Sequence, residues 1–244
     1  MNVPTEQLAK LRARAERLLD LFLSLRGKVA VLHPLAFDGD LSRRVGSGPR
    51  AQAFLILRNA LLEACVQNLV KVTIDTDVRV PSIANIMSSL ASGSIRSSLE
   101  AAYCVPPIPV RVGSNEPMPR EIEDRLLARE TASLRRQFAD AWTDLSERWQ
   151  RIEADGRLGA FKTWRDKVIA HSELQHKAGT YAPLDLAELG LKWGDLEALV
   201  TEIEQLVSGV GIVVRGAAFA WQDLDAQLLK ASTEFWSLIG ARTV

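Results

Sequence analysis

The chain has 244 residues, enough to bury a full core in one domain, and its 47% hydrophobic and 25% charged content excludes a disordered chain. Its 30 basic residues balance 30 acidic ones, so no global basic field of the kind that drives sequence-independent nucleic-acid binding surrounds it. The distribution is uneven, with nine Lys and Arg against five Asp and Glu in residues 1–50, and four against nine in residues 178–244, so any nucleic-acid role must rest on a local site.

Helical periodicity runs through the chain and no stretch sustains apolar–polar alternation, which predicts an all-α fold in a single domain, residues 1–244. Leu8, Leu11, Ala15, Leu18, Leu19, Phe22 and Leu25 repeat at three and four residues and predict a first helix over 5–31, stopped by "HPLAFDGD" with Pro34 and Gly39. This amino-terminal segment mixes acids and bases and lacks the long apolar core of a signal peptide. Pro49 opens a second helix over residues 50–74, with Phe54, Leu57, Leu61, Leu62, Cys65 and Leu69 as its apolar face. Shorter helices are expected in "PSIANIMSSLAS" and "SIRSSLEAAY".

Residues 103–119 hold five of the ten prolines and form a Pro-rich loop. A long charged helix follows over 120–154, with Leu127, Leu134, Phe138, Trp142 and Leu145 inward, and "DGR" ends it. The next helix is expected over 157–175, and after a Gly- and Pro-marked connection two more over 195–214 and 218–240 close the domain. "LVSGVGIVVRGAAFAW", residues 206–221, is strongly apolar but shorter than a bilayer span and contains Arg215, so it reads as a buried helix; no membrane association is expected. Cys65 and Cys104 make neither a metal-ligand spacing nor a disulfide framework, which points to two free thiols in a reducing, cytoplasmic setting.

Chemistry concentrates in "TWRDKVIAHSEL", residues 163–174. On an ideal helix of about 100° per residue, Leu158, Phe161, Trp164, Val168 and Ile169 gather on one face, Arg165 lies inside that arc, and His171 borders it. An arginine on an apolar face needs a partner, because a buried unpaired charge costs several kcal/mol. It meets either an acid on a neighbouring helix, with His171 a half-exposed surface residue, or a ligand anion at a helix–helix or subunit interface.

Arg165-Asp166-Lys167-Val168-Ile169-Ala170-His171 resembles the motif of the HEPN superfamily, an Arg, a polar Asn, Asp or His, and a His after four to six intervening residues. The approach "LILRNALLEACVQNLVKV", residues 55–72, adds a resemblance to the abortive-infection, AbiU-type branch, over roughly residues 50–215. The resemblance implies a HEPN-like helical bundle with additional amino- and carboxy-terminal helices. It implies a metal-independent endoribonuclease with its site at a homodimer interface, a toxin or phage-defence effector, with a nucleotidyltransferase-like antitoxin as a partner to look for. Arg165, Asp166 and His171 are then the catalytic candidates, acting on RNA without a cofactor. Imidazole ordinarily titrates near neutrality and suits proton transfer in attack by a 2′-hydroxyl, while a guanidinium holds a phosphate bidentately. Arg165 and His171 are six residues apart, roughly 120° around a helix, so one rigid helix does not bring them face to face; a symmetric dimer relieves this by bringing two copies of each residue to one cleft.

Arg58 and Asn59 are candidates to line the same cleft and bind substrate, or else an interhelical hydrogen-bonding pair. His33 reads as a solvated loop residue. His176 follows His171 at a spacing unlike the paired helical histidines of zinc enzymes, and no metal is expected. The six tryptophans read as packing. The rival reading is a catalytically silent HEPN-fold binding or assembly module; an unrelated helical scaffold carrying the spacing by chance is the third.

Overall fold

In the computed structural model, residues 5–106, 120–171, 173–177 and 180–238 are described. They form an all-α bundle of α1 (Thr5–Phe37), α2 (Gly39–Val45), α3 (Pro49–Thr73), α4 (Ile83–Leu90), α5 (Gly93–Tyr103), α6 (Arg120–Glu153), α7 (Gly156–Trp164), α8 (Trp193–Val210) and α9 (Trp221–Leu238). Residues 107–119, most of the expected Pro-rich loop, lie outside the described residues.

The buried stripe of α1, Leu11, Ala15, Leu18, Phe22 and Leu25, follows the predicted spacing and is the axis of the core. It packs against Leu62, Cys65, Val66 and Leu69 of α3 and Leu199, Ile203 and Leu206 of α8. Apolar burial pushes the Cys65 thiol up to about 12, so it stays protonated and inert. Phe22 meets Trp221 edge to face at 5.5 Å, which ties α9 to α1. Arg26 adds an ion pair to Glu204 at 2.8 Å and another to Asp225, joining α1, α8 and α9. Gly209 lets α8 approach α6: a Cβ there would lie 3.1 Å from Leu145 Cδ1.

Several expectations need correction. First, α1 does not stop near residue 31 but runs through Pro34 to Phe37. Proline lacks the N–H that would bond the carbonyl four residues back and crowds that turn. Here α9 supplies the missing donor: Ser232 Oγ–H bonds the Ala30 carbonyl at 2.8 Å, and Trp236 Nε1–H adds a bond to the Val31 carbonyl at 3.0 Å. A buried carbonyl left without a donor costs about 1–3 kcal/mol. Ser232→Ala is therefore expected to lower stability by about 1–2 kcal/mol, read by urea unfolding; an unchanged midpoint contradicts the account.

Second, the apolar face of α3 is buried only in its second half; Leu57 is 40% exposed, with Leu55 at 45% and Ile56 at 63%. Third, a short antiparallel hairpin, β1 (Leu174–Lys177) and β2 (Thr180–Pro183), pairs Leu174 with Pro183 and Lys177 with Thr180 where helix and loop were expected. Fourth, His33 is not in a loop but on α1, where its Nδ1 meets Glu197 Oε1 at 2.5 Å and ties α1 to α8. α8 starts at Trp193 rather than 195, where the Asp195 carboxylate accepts the Lys192 N–H at 2.7 Å, and a π turn over Gly211–Arg215 continues it. Segment 206–221 is thus helix only as far as Arg215, with Leu206, Val207, Val210, Val213 and Val214 buried.

Candidate functional site

The helix that carries the motif starts from Asp155, whose carboxylate caps α7 by accepting the Arg157 N–H at 2.7 Å. Arg157 returns its guanidinium to Asp155 at 2.6 Å and reaches Glu202 of α8 at 2.9 Å. The hydrogen bond from Arg157 holds the Asp155 carboxyl below its ordinary range, so the tie persists through neutral pH. Leu158, Phe161 and Trp164 are buried, and Trp164 Nε1–H donates to the Leu184 carbonyl at 3.2 Å, fixing the end of α7 against the segment after β2.

Residues 157–175 are not one regular helix. After Trp164 the backbone widens into a π-helix over Arg165–Ala170, whose end residue His171 leaves helical geometry at φ −120°, ψ −9°. The Glu173 N–H returns to the Lys167 carbonyl at 2.7 Å and closes the turn before β1. Single π turns are uncommon and recur at functional sites. This one spans the motif from Arg165 up to His171, and it packs against α3 and α7.

Arg165 is half-buried, its side chain 24% exposed, as its place in the apolar arc predicts. Its partner is not an acid on another helix but its neighbour: Nε and Nη2 bond Asp166 Oδ1 at 2.7 and 2.5 Å. Lys162 joins them, with Nζ 3.2 Å from Asp166 Oδ2. The Lys162 and Asp166 spacing of four residues was the available signal for this contact. Burial alone would raise the Asp166 pKa, but the hydrogen bonds from Arg165 and Lys162 outweigh it and hold the carboxyl below its ordinary range. A depressed carboxylate keeps its contacts above its unfolded value and loses them only as the solution becomes strongly acidic, so Arg165 stays tethered at neutral pH. The His171 N–H donates to the Val168 carbonyl, but its imidazole is exposed and has no hydrogen-bond partner among the described residues. The structure thus brings Arg165 and Asp166 together and leaves His171 at the far end of the turn.

Arg58 and Asn59 separate. Arg58 is half-buried, its guanidinium carbon 5.2 Å from the Trp193 ring centroid, and its buried Nε has no hydrogen-bond partner among the described residues. Asn59 is exposed to solvent. Trp193, 39% exposed, is the tryptophan that departs furthest from a packing role. Among the described residues no group of three or more His, Cys, Asp and Glu could hold a metal ion.

The family model for AbiU2, a HEPN family, matches residues 8–235, from the first turn of α1 to α9, and contains the motif and α3. The chain belongs to the HEPN AbiU2 family. Comparison with curated proteins and with solved structures gives no match. The AbiU2 membership makes this an abortive-infection HEPN-type domain.

Proposed function

We propose that this AbiU2 protein is a metal-independent endoribonuclease, active as a homodimer, that serves as a toxin or phage-defence effector. The observation that carries the reading is the motif turn itself, a half-buried Arg165 held by Asp166 at one end of a π-helix and an exposed, unengaged His171 at the other. The chemistry is transesterification. The ribose 2′-oxygen gives its proton to an imidazole and bonds the adjacent phosphorus; the bond from phosphorus to the 5′-oxygen breaks, and that oxygen is protonated as it leaves. The products are a 2′,3′-cyclic phosphate and a 5′-hydroxyl. His171 takes or returns the proton, and Arg165 offsets charge on the nonbridging oxygens, with the Asp166 contact giving way to the phosphate.

A second copy of the chain supports the two proton roles, since a symmetric interface places two His171 side chains at one cleft. Exposed apolar surface on α3 favours it: Leu55, Ile56 and Leu57 project from the helix that packs against the motif turn. α3 is long and apolar enough to cross a membrane by length and composition, yet only 28% of its most apolar window is buried. We read this exposed first half of α3 as the seat of the second copy, which covers it and draws the two motifs together. Arg58, stacked on Trp193, is a substrate-binding candidate beside it, and Asn59 a weaker one on the exposed face. A nucleotidyltransferase-like antitoxin is the partner this role calls for.

The silent-module reading has one observation on its side, the occupation of Arg165 by Asp166. Incubation with structured RNA in excess chelator separates the two. The ribonuclease cleaves it and the Arg165→Ala protein does not; the module leaves RNA intact while its oligomeric state is unchanged.

A further inference from the structure

A second cationic feature lies away from the motif. Between the first half of α1 and the turn that follows α3 runs a concavity of about 490 Å³, lined by Lys10, Arg14, Arg17 and Arg79, with Val78 and Pro81 in its wall. No residue of the 165–171 turn lines it. Lys10, Arg14 and Arg17 stand at spacings of four and three, one face of the helix, alongside the buried stripe. They carry much of the positive excess of residues 1–50 in a chain whose net charge is zero.

The partners of these cations leave them available. Arg14 donates from Nη2 to the Val78 carbonyl, a neutral acceptor that positions the guanidinium without cancelling its charge. Arg17 faces Asp20 at 3.4 Å with both side chains more than 60% exposed, a contact worth little in water. Arg79 grips Asp77 at 2.6 Å but is 86% exposed, its outer edge open. Lys10 has no partner among the described residues. Val78, 71% exposed, offers an apolar wall beside the charges. Seven residues of helix separate Lys10 from Arg17, about 10 Å, so the row meets more than one charge of an extended polyanion.

We infer that this groove binds the phosphodiester backbone of single-stranded RNA, as an anchor separate from the motif turn. The choice of RNA rests on the ribonuclease reading; the site itself rests on the groove. The groove is open, and its cations stand on two elements, Lys10, Arg14 and Arg17 on α1 and Arg79 on the turn after α3, so a strand laid along it meets charge on both sides.

The test uses full-length protein carrying His171→Ala, so that RNA stays intact, and a fluorescent oligouridine of about 20 nucleotides, with anisotropy read from about 50 to 200 mM salt. Lys10→Glu with Arg17→Glu is expected to weaken binding at least about 10-fold at the lower salt. It should also flatten the log–log salt dependence by about 1.4, two contacts at about 0.7 each for a single strand. Arg129→Glu with Arg136→Glu, exposed positions on α6, makes the same change in net charge and is expected to cost less than about threefold. Lys10→Gln with Arg17→Gln guards against a folding defect and should weaken binding in the same direction with an unchanged melting temperature. Unchanged affinity and slope in the groove variants, or an equal loss in the α6 pair, overturns the inference, as does groove-dependent sedimentation with anionic vesicles where RNA affinity is unaffected. With His171 restored, cleavage of a dinucleotide should not depend on the groove. Dinucleotide cleavage with groove-independent RNA binding refutes this inference alone; groove-dependent binding with no cleavage refutes the ribonuclease alone.

Discussion

Purified His171→Ala protein is expected to bind RNA as the unmodified chain does and to cleave it about 10²- to 10⁴-fold more slowly, the range that one positioned proton-transfer group contributes. The side chain is exposed at the end of the π turn, so its removal leaves no cavity and folding should be untouched. Arg165→Ala should cost about 10²- to 10³-fold, in line with the loss of a preorganised donor to developing charge. Arg165→Lys should recover little, because an ammonium cannot make the forked contact that Nε and Nη2 now make with Asp166. Single-turnover rates with saturating enzyme, set beside melting temperatures, read both effects. A folded His171→Ala protein that cleaves at the unmodified rate removes the histidine from the mechanism.

The second large effect is expected at Ile56. In the protomer this residue is 63% exposed, so Ile56→Asp should leave protomer folding nearly unchanged. If a second copy covers this face, the substitution buries an unpaired carboxylate in the interface, several kcal/mol against association and at least a 100-fold rise in the dimer dissociation constant. Sedimentation at micromolar concentration should then show a dimer for the unmodified chain and a monomer for Ile56→Asp, with RNA cleavage lost in parallel. Glu63→Lys, on the exposed side of the same helix beyond the apolar run, is expected to retain the dimer. A monomer that cleaves RNA would separate the site from any interface.

The motif could be picked out from the sequence, whereas the geometry of its turn could not. Arg165 was identifiable as an anomaly because its neighbours in the wheel are apolar, and it is indeed half-buried. The π turn was invisible, since a wheel at 3.6 residues per turn presupposes the geometry that fails after Trp164. The pairing of Arg165 with Asp166 is not visible on the wheel, because a residue and its neighbour do not share a helix face; the long arginine side chain wraps round to reach the carboxylate. The core stripe of α1 was readable from spacing alone, but its length was not. Pro34 is a stop signal locally, and it is overridden by Ser232 and Trp236, about two hundred residues away in the chain. Periodicity in α3 marked an apolar helix without saying which half is covered, because apolar composition alone does not distinguish a buried half from an exposed one. The hairpin at 174–183 is too short for alternation to show.

The chemistry of the cut ends tests the central claim most directly. The unmodified protein, dialysed against chelator and incubated with a defined RNA in excess EDTA, is predicted to give 5′ fragments ending in a 2′,3′-cyclic phosphate and 3′ fragments beginning with a 5′-hydroxyl, resolved by mass spectrometry. Intact RNA in EDTA, or cleavage that returns only with a divalent ion and leaves 5′-phosphates, would contradict it.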